Sequence, residues 1–334
     1  MIVVLKPGAP AEDCARLTAW LESRGFRVDR SVGETRTVLG LVGDASSLDA
    51  ELIASLPCVE SVRRVSEPFR RCGREGHGAD AVVEVGGLRF GGGGFVLIAG
   101  PCSVESEEQI LTVARAVKAA GADMLRGGAF KPRSSPYDFA GLGEEGLALL
   151  KLARAETGLP TVSEIMSPAQ LPLFEDVDLL QVGARNMQNY ELLRELGRTD
   201  KPILLKRGFA ATLRELLLAA EYSMAGGNER VILCERGVRS VSDHTRATLD
   251  LSAVAALHEL SFLPVIVDPS HAAGRAALVP PLALAAAACG ADGLMLEVHN
   301  EPLRALSDGA QALRCEDFAA LAAKLRAVRE AARS

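Results

Sequence analysis

Residues 95–102 read Phe95-Val-Leu-Ile-Ala-Gly-Pro-Cys102, a run of five apolar residues that a Gly-Pro pair ends and a cysteine follows. A short apolar run bounded by glycine and proline is typical of a buried strand. Seven similar runs follow at intervals of about 28 residues, and helical spacing follows each of them, as in 108–120, 144–155 and 213–225. The eight runs are Phe95–Ala99, Met124–Leu125, Thr161–Val162, Leu179–Val182, Ile203–Leu205, Val231–Leu233, Val265–Val267 and Leu294–Leu296.

Eight strand-helix units over about 250 residues indicate an α/β protein, either a (β/α)8 TIM barrel or a doubly wound sheet. The residues directly after the runs favour the barrel, because only a barrel brings the carboxyl ends of all eight strands together on one face. Unpaired charges buried at separate places would each cost several kcal/mol. We therefore predict a single active site formed by Cys102, Arg126, Glu164, Arg185, Lys206, Arg236, Asp268, His271 and Glu297.

The segment before the barrel predicts a second, smaller domain. Strand and helix patterns alternate over residues 1–66 in the order β-α-β-β-α-β, the split βαβ of a ferredoxin-like domain. Residues 67–79 are charged and rich in glycine, which predicts a linker, and residues 80–334 then contain a hairpin and the barrel.

Composition limits the partners and the location. The 334 residues include 43 acidic and 37 basic side chains, so the net charge of -6 gives no general attraction to nucleic acid or anionic lipid. The seven cysteines are scattered and form no Cys-x-x-Cys pair, which is typical of reduced thiols. We find neither a secretory signal nor an apolar stretch of about 20 residues. These features predict a cytoplasmic protein without a membrane or nucleic-acid partner.

Positive side chains follow several of the strands. Guanidinium groups bind phosphate and carboxylate in bidentate geometry, so this set predicts one or two small substrates with several negative charges. Lys206 could instead form a Schiff base, as in class I aldolases, although its neighbour Arg207 and the surrounding cations favour anion binding. The cations are Arg126, Lys131, Arg133, Arg185, Lys206 and Arg236.

A thiol, an imidazole and two carboxylates are candidate metal ligands. This mixed set suits Mn²⁺, Fe²⁺, Co²⁺ or Zn²⁺ better than Mg²⁺ or Ca²⁺. Taken singly, each has a structural explanation, such as a buried thiol, a core histidine or a turn cap. His299 could substitute for one of them. The four candidates are Cys102, His271, Glu297 and Asp308.

Seven motifs occur in an order that resembles the type I β branch of 3-deoxy-D-arabino-heptulosonate 7-phosphate (DAHP) synthases. That branch carries an N-terminal ferredoxin-like (ACT-like) regulatory domain. The related 3-deoxy-D-manno-octulosonate 8-phosphate synthases remain the alternative, but their loop after the second strand typically reads Lys-Ala-Asn-Arg, where this chain has Lys131-Pro132-Arg133. Ser134 stands where the family usually has threonine. The motifs occupy residues 98–106, 125–137, 183–185, 204–208, 233–237, 267–271 and 296–299.

The resemblance implies a role for each site residue. Phosphoenolpyruvate would be bound by Arg126, Lys131, Ala184, Arg185, Lys206 and Arg236. The phosphate of erythrose 4-phosphate would be bound by Arg133, Ser134 and Ser135. A divalent ion, with Mn²⁺ the first expectation, would be held by Cys102, His271, Glu297 and Asp308. Lys131 and Glu164 are the candidates for proton transfer.

The implied activity is that of a transferase. Phosphoenolpyruvate, D-erythrose 4-phosphate and water would give DAHP and phosphate, the first step of the shikimate pathway to aromatic amino acids. The resemblance further implies feedback inhibition by tyrosine or phenylalanine at the N-terminal domain, and a homotetramer. A catalytically inactive amino-acid sensor is the remaining alternative, which the intact set of candidate ligands disfavours.

Overall fold

The computed structural model describes residues 1–33, 36–43, 45, 48–63, 69–75, 77–133 and 135–333. The chain divides into two compact units, Met1–Pro68 and Phe69–Ser334.

The first unit is a four-stranded antiparallel sheet with two helices. Val3 of the first strand and Leu39 of the third are fully buried and lie opposite each other. They share a core with Leu21 of the first helix and Ile53 of the second, since alternate strand residues and one helix face are apolar. The sheet order β2-β3-β1-β4 and the sequence order confirm the predicted ferredoxin-like fold. The elements are β1 (Ile2–Leu5), α1 (Ala11–Ser23), β2 (Arg27–Val32), β3 (Thr37–Val42), α2 (Ala50–Ala54) and β4 (Val59–Arg63).

The second unit begins with a hairpin, β5 (Val83–Val85) and β6 (Leu88–Phe90), and continues into a closed barrel of eight parallel strands. Each strand pairs with its neighbour along the chain, and the last pairs with the first. The predicted (β/α)8 barrel is therefore confirmed. Its strands are β7 (Val96–Gly100), β8 (Met124–Arg126), β9 (Thr161–Ile165), β10 (Leu179–Val182), β11 (Ile203–Lys206), β12 (Val231–Glu235), β13 (Val265–Val267) and β14 (Gly293–Glu297).

Helices surround the barrel, and their ends follow from local sequence. The Ser106 hydroxyl accepts from the backbone N–H of Gln109 at the start of α3, and Thr212 and Glu215 form a capping box at the start of α6. Between β9 and β10 the expected helix is a 3₁₀ helix, Pro168–Phe174, with Pro172 inside it. The helices are α3 (Glu107–Ala119), α4 (Glu144–Thr157), α5 (Tyr190–Leu196), α6 (Leu213–Ala225), α7 (Ser252–Leu260), α8 (Pro269–Ala273), α9 (Val279–Ala288) and α10 (Cys315–Ala331).

Apolar side chains fill the barrel interior. Val83, Val85 and Phe90 of the hairpin join the same buried cluster as Val96 and Leu179 at the starts of β7 and β10. The hairpin thus closes the amino end of the barrel, and the carboxyl ends of the strands remain open for a site.

Residues 69–75, part of the predicted linker, pack against the barrel unit. The backbone N–H groups of Arg71 and Cys72 donate to the Glu221 carboxylate on α6 at 2.9 to 3.1 Å. The Cys72 side chain is buried. These contacts attach the segment to the helix layer. Among the helices of the described ranges, none has both the length and the apolarity needed to cross a lipid bilayer.

Candidate active site

A polar cleft of about 190 Å³ opens at the carboxyl ends of the barrel strands. Most of the predicted substrate-binding residues meet in its wall, together with two of the predicted metal ligands. The lining residues are Lys131, Pro132, Arg133, Asp138, Glu164, Gln181, Gly183, Ala184, Arg185, Lys206, Phe209, Arg236, Arg246, His271 and Asp308.

The strands position these side chains by their period of two. Met295 belongs to the apolar cluster inside the barrel, and Glu297 stands two residues later on the same strand, so it faces the same interior. The same step leads from Leu204 to Lys206 and, on the neighbouring strand, from Cys234 to Arg236. These three strands thus each place one charged residue above the apolar layer, where the interior opens to the cleft.

The four predicted metal ligands come together. One candidate ligand atom from each of Cys102, His271, Glu297 and Asp308 lies within 4.8 Å of the others. His271 Nε2 is 3.2 Å from Glu297 Oε1, and the Cys102 thiol donates to Asp308 Oδ2 at 3.1 Å. A thiol, an imidazole and two carboxylates in one small group fit a divalent transition metal.

Each of these ligands has its own oppositely charged or hydrogen-bonding partner. The Lys131 ammonium donates to Cys102 Sγ at 2.9 Å, and the Arg126 guanidinium donates to Glu297 Oε1 at 2.8 Å. Burial makes both contacts strong, since water does not compete for them. Two of the cations predicted to bind substrate, Lys131 and Arg126, therefore also contact predicted metal ligands.

The other two predicted ligands also have polar partners, of which Asp268 was among the predicted site residues and Arg246 and Gln311 were not. His271 Nδ1 lies 2.6 Å from Asp268 Oδ2, which leaves Nε2 directed at the metal group. Arg246 donates to Asp308 Oδ1 at 3.0 Å and to the side-chain oxygen of Gln311 at 3.1 Å. Gln311 in turn donates to Glu297 Oε2 at 2.5 Å. A chain of hydrogen bonds through Arg246 and Gln311 therefore connects the carboxylates of Asp308 and Glu297.

Asp308 has φ = +53°, and it is the one non-glycine residue with positive φ in the part of the chain that the structure describes. Left-handed backbone is unfavourable for most side chains and persists where the surrounding contacts enforce it. The bonds from Cys102 and Arg246 to its two oxygens supply that constraint. The loop after β14 is thus held in a strained form at the site.

The protonation states follow from burial and charge. Burial, and then the charge of Glu297, raise the pKa of the Cys102 thiol to about 12. Burial lowers the pKa of His271 and outweighs the negative charge of Asp268, which acts to raise it. The imidazole is therefore neutral near pH 7. Burial acts to raise the pKa of Asp308, but His271 and Arg246 outweigh it and hold that pKa well below its usual range. Without metal, only the thiol is in the wrong protonation state for binding.

Burial likewise acts to raise the pKa of Glu297, but His271 and Arg126 outweigh it and lower the pKa. For Lys131, burial acts to lower the pKa, and Cys102 and Glu164 reverse that effect and raise it. Both groups are therefore charged at neutral pH.

Glu164 is buried beside the cleft and accepts a hydrogen bond from Gln181 Nε2 at 3.1 Å. Its carboxylate lies against Gly183, where a Cβ atom would come within 1.9 Å of Oε1. Gly183 therefore leaves the space that the carboxylate occupies. Gln181 was not predicted, although it stands two residues after the interior Leu179 and shares the register of the other site residues.

Lys206 forms a buried ion pair with Asp268. An ammonium held in this way offers no free lone pair to a carbonyl, which disfavours the Schiff-base alternative. The expectation that Arg207 supports anion binding beside Lys206 is corrected. The Arg207 side chain forms ion pairs with Glu235 at 2.9 Å and with Asp250 at 3.0 Å, on the side of the strands away from the cleft. Neighbouring strand residues point to opposite faces, so Lys206 and Arg207 cannot both serve the site.

The predicted second phosphate site is only partly assembled. Arg133 lines the cleft and pairs with Asp138 at 3.2 Å, whereas Ser135 lies outside the cleft wall and accepts from the backbone N–H of Tyr137. Ser134 lies outside the described residues. His299 contacts Glu105 at 3.4 Å and accepts from the backbone N–H of Glu301, so it is not one of the four grouped ligands.

Comparison with known proteins agrees with this geometry. A family model described as "DAHP synthetase I family" matches residues 80–334, and one described as "DAHP synthase ferredoxin-like domain" matches residues 1–67. Phospho-2-dehydro-3-deoxyheptonate aldolase of Thermotoga maritima is 47% identical over 99% of this chain and 98% of its own length. A 2-dehydro-3-deoxyphosphooctonate aldolase of Desulfatibacillum aliphaticivorans is 35% identical over 72% of this chain and 94% of its own.

The solved structures give the same result. The crystal structure of the Thermotoga maritima DAHP synthase superimposes with a TM-score of 0.94 at 46% identity, covering 99% of this chain and 97% of that one. A truncated form of the Thermotoga enzyme covers 79% of this chain with a TM-score of 0.74. The chain therefore belongs to the DAHP synthetase I family and begins with that family's ferredoxin-like domain.

Proposed function

We propose that the protein condenses phosphoenolpyruvate with D-erythrose 4-phosphate and water to give DAHP and phosphate. One observation supports this most directly: Lys131 lines the cation-rich cleft and also donates to Cys102 of the candidate metal group. A site suited to a small substrate with several negative charges thus adjoins a site suited to a divalent ion. The condensation uses both sites. The cations bind the phosphate and carboxylate groups of the enol phosphate, and a divalent ion would polarise the aldehyde.

The cleft residues suit the charges of phosphoenolpyruvate. In our proposal its phosphate and carboxylate are bound by Arg185, Arg236 and Lys206, with Arg126 and Lys131 deeper in the site and the Ala184 backbone beside the phosphate. Arg133, Ser134 and Ser135 receive the phosphate of erythrose 4-phosphate. Two substrates with several negative charges repel each other, so the cations offset that repulsion and fix the approach of the reacting carbons.

Cys102, His271, Glu297 and Asp308 would hold the metal ion, with Mn²⁺ our first expectation. When bound, such an ion supplies Lewis-acid polarisation of an aldehyde oxygen. The chain's own groups handle the protons: C3 of the enol phosphate attacks the aldehyde carbon, and Lys131 Nζ donates a proton to the former aldehyde oxygen, which becomes the new hydroxyl. The Glu164 carboxylate accepts a proton from the water that adds to C2, and phosphate then leaves with C–O cleavage.

A substrate assay tests the proposal. The purified protein, supplied with Mn²⁺, phosphoenolpyruvate and erythrose 4-phosphate, should release inorganic phosphate and form a seven-carbon product. Arabinose 5-phosphate is the matched comparison substrate. If arabinose 5-phosphate supports turnover and erythrose 4-phosphate does not, the protein is an octulosonate phosphate synthase. If no divalent ion supports turnover, the catalytically inactive amino-acid sensor becomes the favoured alternative.

The affinity for Mn²⁺ should rise with pH by about tenfold per unit between pH 6 and 8. The Cys102 thiol, with its pKa raised to about 12, must lose one proton on binding, whereas His271, whose pKa is lowered, is already neutral. Chelator competition across this pH range measures the slope. A Cys289→Ser variant, which removes a thiol outside the metal group, should keep the slope, and a pH-independent affinity would contradict the prediction.

We further propose that tyrosine or phenylalanine inhibits the enzyme by binding to the ferredoxin-like unit. Deleting residues 1–66 should then leave turnover within about twofold and abolish inhibition, since the barrel unit contains all the proposed catalytic groups. Turnover of both forms, measured with each amino acid, checks this. Inhibition that persists in the shortened protein would place the effector elsewhere.

The resemblance to the family also supports a homotetramer in the cytoplasm. Light scattering of the purified full-length chain at several concentrations would measure the assembly state.

A further inference from the structure

Phe209 lies two residues after Arg207 in the loop that follows β11, and its half-buried ring lines the cleft. Three guanidinium groups surround this ring. The Arg236 carbon Cζ is 4.6 Å from the ring centroid, that of Arg185 is 5.3 Å away, and that of Arg239 is 5.4 Å away. All three distances are within the range of a cation–π interaction.

The three arginines differ from other arginines near the site in their charged partners. Across the described ranges, no carboxylate forms an ion pair with Arg185, Arg236 or Arg239, whereas Arg126 and Arg207 each pair with a buried glutamate. Arg236 donates to the carbonyl oxygens of Gly237 and His271, at 3.3 and 3.1 Å. Like charges at such short range repel, so something other than a carboxylate must keep these groups together.

A carboxylate in this place would compete with an anionic substrate, because it would occupy the same donors. An aromatic face attracts a guanidinium through its quadrupole and leaves the N–H groups free to bind an anion. Phe209 therefore offers the arginines a partner that does not block the site.

The backbone that carries the ring is anchored. The Phe209 carbonyl accepts from the backbone N–H of Arg239 at 2.7 Å, and the Gly208 N–H contacts the Met187 sulfur at 3.1 Å. Just before them, Arg207 is fixed to Glu235 and Asp250. The ring therefore projects from an anchored stretch of backbone, so it can position the arginines.

We infer that Phe209 is a positioning residue that holds Arg185 and Arg236 in the arrangement that receives the phosphate of phosphoenolpyruvate. This inference rests on the proposed function, which assigns those two arginines to that substrate. Positioning before binding lowers the ordering cost that the ligand would otherwise bear, so it affects affinity more than chemistry.

The test compares Phe209→Leu, which keeps an apolar side chain without the π face, with Phe209→Tyr, which keeps the face. Calorimetric titration of the full-length protein with phosphoenolpyruvate should show affinity about tenfold weaker for Phe209→Leu and within about twofold of the parent for Phe209→Tyr. In turnover, Phe209→Leu should raise KM for phosphoenolpyruvate by a similar factor and change kcat by less than about twofold.

Phe262→Leu is the matched control, since Phe262 is half-buried and stacks on His77 away from the cleft. It should leave the affinity unchanged. If Phe209→Leu does not fold, Phe209→Met replaces it in the comparison. Equal affinity of the apolar variant and the parent would overturn the inference, as would an equal loss in Phe209→Leu and Phe209→Tyr. Absence of phosphoenolpyruvate binding by the parent protein would instead refute the proposed function.

Discussion

Replacing Cys102 with alanine is expected to lower turnover by about a thousandfold, because the proposed metal site would lose its sulfur ligand. The change removes one of four ligand atoms that lie within 4.8 Å of one another. It also leaves the Lys131 ammonium buried without the sulfur that it contacts at 2.9 Å. A buried charge that loses its partner is costly, so the remaining groups should rearrange around it.

Metal content and turnover, measured on the same sample, check this result. After dialysis against Mn²⁺ at a fixed free concentration, the alanine variant should retain much less metal than the parent protein. Cys289→Ala is the control, because that thiol is half-buried at the end of α9 and belongs to no ligand group. Full activity of Cys102→Ala with normal metal content would exclude the cysteine from the site.

Lys131→Met should lower kcat by about a hundredfold to ten thousandfold. Methionine keeps most of the aliphatic stem, which passes over Gly128, and removes the ammonium. The lost group donates to Cys102 Sγ at 2.9 Å and to the Cys102 carbonyl at 3.2 Å, and in our proposal it protonates the former aldehyde oxygen to give the product hydroxyl. Metal affinity should also fall, by about tenfold to a hundredfold, because the thiolate loses its cation.

Single-turnover kinetics with saturating metal separates the two effects. Lys118→Met, on the exposed face of α3, controls for the loss of a lysine charge and should match the parent in both measurements. If Lys131→Met weakens metal binding but turns over normally once saturated, the lysine is a partner of the thiolate and not a proton donor.

Much of the site was predictable because a barrel converts sequence position into spatial position. Each apolar run is one strand, and all carboxyl ends face one way, so residues just after the runs must share one opening. Cys102, His271 and Glu297 come from three different strand ends and meet for this reason. Asp308 joins them from the loop after β14, where its residue type and its place after a strand made it a candidate, although local pattern does not fix the path of that loop.

Strand register could have revealed more than it did. Gln181 follows the interior Leu179 by two residues, as Glu297 follows Met295, and simple alternation would have directed it into the site. Alternation would also have turned Arg207 away from the cleft, since its neighbour Lys206 faces inward.

The sequence by itself determined the two domains' strand order, the closed barrel and the residue types gathered at its mouth, because hydrophobic period and strand direction are local properties. Only the tertiary structure decided which groups pair. Arg126 meets Glu297 across 171 positions, and Lys206 meets Asp268 across 62. Such contacts depend on how the strands are staggered around the barrel and on which rotamers fit the buried space. For the same reason, the ring of Phe209 beneath three arginines was visible only in the folded chain.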